Sequence, residues 1–125
     1  MRFIADLHIH SKYSRACSGN LTLSNLAAWA GAKGIDVLGT SDFTHPAWLA
    51  HIEERLEPAE PGLFRLKRKF EAEDGDGAYV AAPETAGVRP VRFLLSTEVS
   101  CIYKKNGKTR RLHLALRWLT RSFSR

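Results

Sequence analysis

Phe3-Ile4-Ala5-Asp6-Leu7-His8-Ile9-His10 alternates with a period of two. Phe3, Ala5, Leu7 and Ile9 form one face of a half-buried strand, and Ile4, Asp6, His8 and His10 form the other. A polar loop follows from Ser11 to Asn20. Leu21 to Ala30 then has the apolar spacing of an amphipathic helix, capped near Asn20 or Thr22 and stopped at Gly34. Ile35-Asp36-Val37-Leu38-Gly39-Thr40 reads as a second short strand, emptying into Ser41-Asp42-Phe43-Thr44-His45-Pro46. Pro46 suits the first turn of another helix, running through Trp48, Leu49, Ile52 and Leu56. Strand, loop, helix and strand at this spacing argue for right-handed βα units, and so for an α/β fold with a parallel sheet or barrel.

Glu57-Pro58-Ala59-Glu60-Pro61-Gly62 is a loop, and Leu63 to Phe70 suits either a strand or a basic helical turn. Asp74-Gly75-Asp76-Gly77 and Pro83-Glu84-Thr85 read as irregular. Val91 to Tyr103 is a long strand, followed by Lys105-Asn106-Gly107-Lys108 and a second strand from Thr109 to Leu116. Asn-Gly between two alternating runs is the strongest short hairpin signal. The chain has no internal repeat and no low-complexity tract.

In folds of this kind, ligand sites gather at the C-terminal ends of the strands. The polar faces of the expected strands carry Asp6, His8 and His10; then Asp36, Thr40 and Asp42; then Ser96, Glu98 and Ser100; and lastly His113. The opposite faces are apolar and suit covering helices. His8 and His10, two apart on a strand, point the same way and can share an ion about 2.0–2.1 Å from each ring nitrogen. His-x-His alone equally fits two exposed histidines. Glu98, an acid inside an otherwise apolar strand, strengthens the metal reading, because a buried carboxylate calls for a cation nearby. His113 follows the same logic, with a hydrogen-bonded core histidine as the alternative. Asp42 and His45 lie in a turn beyond a strand end, although capping a helix ahead of Pro46 would also account for Asp42. His51, beside Glu53 and Glu54, reads as a surface residue.

The chain has 125 residues, 44% apolar and 26% charged, the composition of a soluble globular protein. No stretch approaches the roughly 18 apolar residues of a membrane span, and the amino terminus has no secretory pattern. Cys17 and Cys101 form no C-x-x-C pair and read as reduced thiols in a cytoplasmic protein. No G-x-x-x-x-G-K-[ST] loop is present, which excludes an ATP-driven motor. The net charge of +6 is concentrated at the C-terminal end. Residues 1–103 hold 11 basic and 13 acidic groups, whereas no acid follows Glu98. Lys104, Lys105, Arg110 and Arg111 are therefore candidate phosphate-binding residues, and a phosphate-rich partner is the expected one. A solvated hairpin with a basic tail explains the same charge.

Asp6-Leu7-His8-Ile9-His10-Ser11-Lys12-Tyr13-Ser14 resembles the first motif of the PHP (polymerase and histidinol phosphatase) phosphoesterases. Together with Gly34 to Pro46 and Leu95 to Tyr103, it resembles the branch that includes endonuclease Q, whose members are often labelled helicase-like. The likeness covers most of residues 1–114. It implies a distorted (β/α)7 barrel, here incomplete, with divalent metal ions at its mouth: zinc or manganese first, magnesium as the remaining option. Relatives of this kind nick DNA beside deaminated bases and at abasic sites. Carried over by motif, His8, His10, Glu98 and His113 would be metal ligands, with Glu98 as the bridging, catalytic carboxylate. Asp42 would be a catalytic group or ligand, and Asp6, Asp42 and His45 are additional candidates for ligating the metal or supporting its ligands.

The chain departs from the family in several places. Arg15-Ala16 stands where many members place a further ligand, and Asp42-Phe43 stands where many have Asp-His. A later histidine and an Asp-x-His pair have no counterpart. Residues 117–125 read as a basic tail unlike the family, after a partial PHP domain at 1–116. A frameshift or premature stop near Leu116 is the first expectation for its origin, and an expression fragment the second. The functional expectation is a metal-dependent phosphoesterase fragment acting on damaged DNA. The alternatives are a small-molecule phosphoesterase of the histidinol-phosphate type and an inactive remnant that binds metal or nucleic acid.

Overall fold

The computed structural model describes residues 2–71 and 90–118. In chain order the elements are β1 (Ala5–Asp6), α1 (Leu23–Ala32), β2 (Val37–Gly39), α2 (Pro46–Arg55), β3 (Leu56–Pro58), β4 (Phe64–Leu66), a 3₁₀ turn (Arg68–Phe70), β5 (Arg92–Lys105) and β6 (Lys108–Trp118). The expected irregular segments around residues 74–77 and 83–85, and the tail beyond 118, lie outside the described residues.

The helices form where their end signals stand. Thr22 caps α1, its side chain accepting from the Asn25 amide at 3.4 Å. Pro46 opens α2 with its φ preset for a helix. Leu56 ends that helix in extended geometry and becomes the first residue of β3 instead of the last helical one.

The sheet is mixed, and this corrects the expectation of a parallel one. Its order is β1-β2-β5-β4-β3, with β6 pairing β5 outside that path. β1, β2 and β5 run parallel, as the βα spacing implies. The short antiparallel hairpin β3–β4 adds to the other side of β5 through Phe64 opposite Phe93. Among the described residues the path is open at β1 and β3.

The first strand is much shorter than its alternation implies. Only Ala5 and Asp6 pair, with Val37 and Leu38, because β2 is itself three residues long and β1 has no other neighbour among the described residues. Beyond Asp6 the His8 amide donates to the Asp6 carboxylate at 3.3 Å, a local bond that replaces a sheet partner. Phe3 and Ile4 are consequently exposed, at 62% and 60%.

The core lies where the helices meet the sheet: Leu23, Leu26 and Ala30 of α1, Trp48 and Ile52 of α2, and Phe64 and Phe93 of the strands. Gly39 lets three segments approach closely. A Cβ there would stand 2.7 Å from Ser96 Oγ and 3.1 Å from the Leu7 carbonyl oxygen.

β5 and β6 form the expected hairpin, closed by Asn106 (φ 53°) and Gly107 (φ 70°), the two left-handed residues of a type I′ turn. The ladder runs from Lys105 opposite Lys108 to Leu95 opposite Trp118. The strand thus runs two residues past Leu116, its expected end. The apolar face of this hairpin is uncovered by any helix among the described residues. Leu112, Leu114 and Leu116 remain 49%, 43% and 50% exposed. Cys17 and Cys101 are free and half-buried. No helix among the described residues is long and apolar enough to cross a membrane.

Candidate metal centre

β5 turns from the core sheet into the hairpin at Leu95, and Glu98 lies three residues further on. The segment leaving β1 carries His8 and His10 to the same place. His8 Nε2 meets Glu98 Oε2 at 2.5 Å. His113, on β6, meets the other oxygen, Oε1, through Nδ1. The ligand atoms of His8, His10 and Glu98 all lie within 4.8 Å of one another. Register explains the meeting of Glu98 and His113. Glu98 pairs with Ala115 and Ser100 with His113, so the two side chains are diagonal neighbours on one face of the hairpin.

The hydrogen bonds from His8 and His113 hold the Glu98 carboxyl below its ordinary range. The group therefore presents a carboxylate between imidazoles that can turn, since the His8 and His113 side chains are 61% and 55% exposed against 17% for Glu98. Two neutral imidazoles and an anion are a donor set that zinc and manganese accept. A tetrahedral ion at about 2.0–2.2 Å from each donor needs them roughly 3.4 Å apart, so the 2.5 Å contact of His8 with Glu98 would have to open to admit it. Imidazole nitrogens now turned toward Glu98 would be redirected to the ion.

Asp42 stands outside this donor group. Its Oδ2 accepts from Ser11 Oγ at 2.5 Å, from the Ser11 amide at 3.4 Å, and from Ser14 Oγ. Burial pushes its carboxyl up, but these hydrogen bonds, with His10 nearby, outweigh that and keep it below the ordinary range. Asp42 thus ties the loop that follows His10 to the end of β2. Ser41 (φ 55°) and Asp42 (φ 41°) are both left-handed, which costs of order 1–2 kcal/mol per residue. The surroundings hold them there. Trp48 Nε1 donates to the carbonyls of Thr40 and Ser41 at 3.1 and 3.0 Å, and the Ser41 amide donates to Ser96 Oγ at 2.9 Å.

The other candidates fall elsewhere. Asp6 accepts the His8 amide and is not in the donor group. His45 is the N-cap residue of α2, and its ring stacks on Tyr13 with centroids 4.4 Å apart. Its amide donates to the Asp42 carbonyl at 2.8 Å, so Asp42 precedes the helix without capping it. His51 is half-buried and stacked on Trp48 at 5.0 Å, not a free surface residue as its acidic neighbours suggest. Lys104, Lys105, Arg110 and Arg111 are all exposed at the far end of the hairpin. Ser11 and Ser14 escaped the sequence analysis as partners of Asp42, while Thr40 and Ser96, expected only as polar-face positions, hydrogen-bond the ends of β2 and β5 together. Ser11, fully buried, is foreshadowed only by its position directly after the His-x-His pair.

No protein-family model matches the chain. Over 49 residues it is 39% identical to the uncharacterized protein MJ0043 of Methanocaldococcus jannaschii, a match covering 39% of this chain and 6% of that protein. Its structure is similar to that of the lesion-specific endonuclease PfuEndoQ from Pyrococcus furiosus, with a TM-score of 0.55 and 29% identity over 77% of this chain and 18% of that one. It is likewise similar to Endonuclease Q in complex with a 27-mer duplex bearing an abasic lesion at the active site, with a TM-score of 0.54, 29% identity, and coverage of 77% and 19%. The chain thus spans less than a fifth of the endonuclease Q chains it resembles, and within that span it shares their mixed α/β fold.

Proposed function

We propose that this chain carries residues of a metal-dependent phosphodiesterase centre of the endonuclease Q and PHP kind, acting on damaged DNA. The observation that supports this reading best is the convergence of His8, His10 and Glu98 at one point, with His113 on the second oxygen of Glu98. Glu98 faces a different imidazole with each oxygen, which suits a carboxylate shared between two cations. His8 and His10 would hold one cation and His113 another. Zinc or manganese fits the donors best, with magnesium as the weaker option.

Bound there, divalent cations activate water near neutral pH and offset the charge of the phosphodiester oxygens. The chain's own residues prepare the site for this. Glu98 stays ionised, and His8 and His10 must be neutral to ligate, so loading releases protons and weakens in acid. Asp42 holds the loop after His10 in place through Ser11 and Ser14.

The test is nicking of a duplex containing one abasic site, uracil or hypoxanthine, with added Mn²⁺ or Zn²⁺. The expected result is slow cleavage, below that of a complete endonuclease Q, abolished by a chelator and by Glu98→Gln. Failure of the chain to bind any divalent cation would overturn the proposal.

A further inference from the structure

The basic residues of the hairpin do not form one patch, because strand alternation divides them between two faces. Glu98 and His113 share a face, as their contact shows. The ladder puts Arg117 opposite Ser96, Arg111 opposite Ile102, and Lys104 opposite Thr109, all on that same face. Tyr103 opposite Arg110 and Lys105 opposite Lys108 belong to the other face, with Val99, Leu112, Leu114 and Leu116. Glu98 carries the only negative charge on either face.

The metal cluster is therefore bracketed along one surface by cations. At about 3.3 Å per residue, Arg117 lies level with a point about 7 Å from Glu98 in one direction. Arg111 and Lys104 lie about 13 and 20 Å away in the other. A duplex carries one phosphate per about 1.7 Å of its axis with both strands counted, so a duplex laid along this face brings phosphates within reach of cations spread over this length. All three residues are exposed.

We infer that the metal-side face of the β5–β6 hairpin is a phosphate-backbone track for duplex DNA, held by Arg117, Arg111 and Lys104, while Lys105 and Arg110 face away from it. This rests on the proposed function and specifies how that site would receive its substrate.

The experiment compares two double variants of equal charge on the same hairpin: Lys104→Gln/Arg111→Gln and Lys105→Gln/Arg110→Gln. Binding of a fluorescein-labelled 30-base-pair duplex with one abasic site is followed by anisotropy from 50 to 200 mM salt. Zinc binding of each protein is measured alongside by calorimetry. The first pair should lower the slope of log affinity against log salt by about 1.8, at about 0.9 per lost phosphate contact. The second pair should leave the slope within about 0.5 of the parent. Equal effects of both pairs, a larger effect of the second, or no duplex binding by the parent would overturn the inference. If zinc binds normally in those cases, the metal-centre reading stands without the track. If the parent binds no zinc, that reading falls, whatever the slopes show.

Discussion

Replacing Glu98 by Gln should abolish metal loading while leaving the metal-free fold intact. Within the group of His8, His10 and Glu98, Glu98 is the sole anion, and both its oxygens face ligand nitrogens. The amide keeps the shape but removes the charge, and it turns one of the two oxygens into a donor group that repels a cation. Losing groups that merely orient metal ligands costs about 10–100-fold in affinity. The loss of a shared ligand should therefore exceed that, and we expect Kd for zinc to rise at least about 100-fold. His8→Ala should behave similarly. Asp42→Asn keeps a side chain that can accept from Ser11 and Ser14, so it should fall within or below the 10–100-fold range. His51→Ala should bind metal like the parent, since its ring lies against Trp48. Metal content by mass spectrometry and Kd by calorimetry on the purified variants decide the matter, with thermal melts in chelator reporting the fold. A full metal complement in Glu98→Gln together with its loss in Asp42→Asn would refute the assignment of the shared ligand.

Gly39→Ala should destabilise the chain by about 1–3 kcal/mol, because its Cβ would press on Ser96 Oγ and on the Leu7 backbone. Urea denaturation measures this, and an unchanged midpoint would contradict the close approach of the three segments. Trp48→Phe keeps most of the ring volume but leaves the Thr40 and Ser41 carbonyls without their donor. It should cost about 1–3 kcal/mol in the same assay and loosen the Asp42 turn. Glu60 is paired through both oxygens with Arg92, which holds its carboxyl down at about 2 from 4.5. A depressed carboxyl stabilises the fold above its unfolded value, and this contribution disappears as pH falls from about 4.5 to 2. Because the pair is largely exposed, the effect should be no more than about 1 kcal/mol. Glu60→Gln should therefore flatten the acid limb of stability against pH between 5 and 2, and an unaltered limb would show that the pair contributes nothing.

Much of the architecture could be read locally. The caps at Thr22 and Pro46 and the Asn106-Gly107 turn act within a few residues, through sterics and hydrogen bonds that the chain carries with it. The four candidate ligands His8, His10, Glu98 and His113 were legible for a related reason. Polar residues interrupt the apolar pattern of a strand only where the fold has a use for them, and the structure brings all four together. The same local logic overextended the first strand. Alternation from Phe3 to His10 states a capacity to pair, but β2 offers a partner to only two of those residues.

The sequence by itself determined the two helices, the long hairpin and the parallel β1-β2-β5 arrangement implied by the βα spacing, but it read β3 as helix end and loop and left β4 open between strand and helical turn. Tertiary structure alone decided the antiparallel insertion of β3–β4 beside β5, which depends on Phe64 meeting Phe93, 29 positions along the chain. It also gave Asp42 its place. In the sequence Asp42 could be ligand, cap or base, and only the approach of Ser11 and Ser14 from 31 and 28 residues away makes it the tie between two loops. The division of the hairpin cations depends likewise on register: Lys104 and Lys105 are adjacent in sequence, yet the ladder places them on opposite faces. Local periodicity is encoded in neighbouring residues, whereas partner and register are chosen by burial and pairing between segments that sequence distance does not relate.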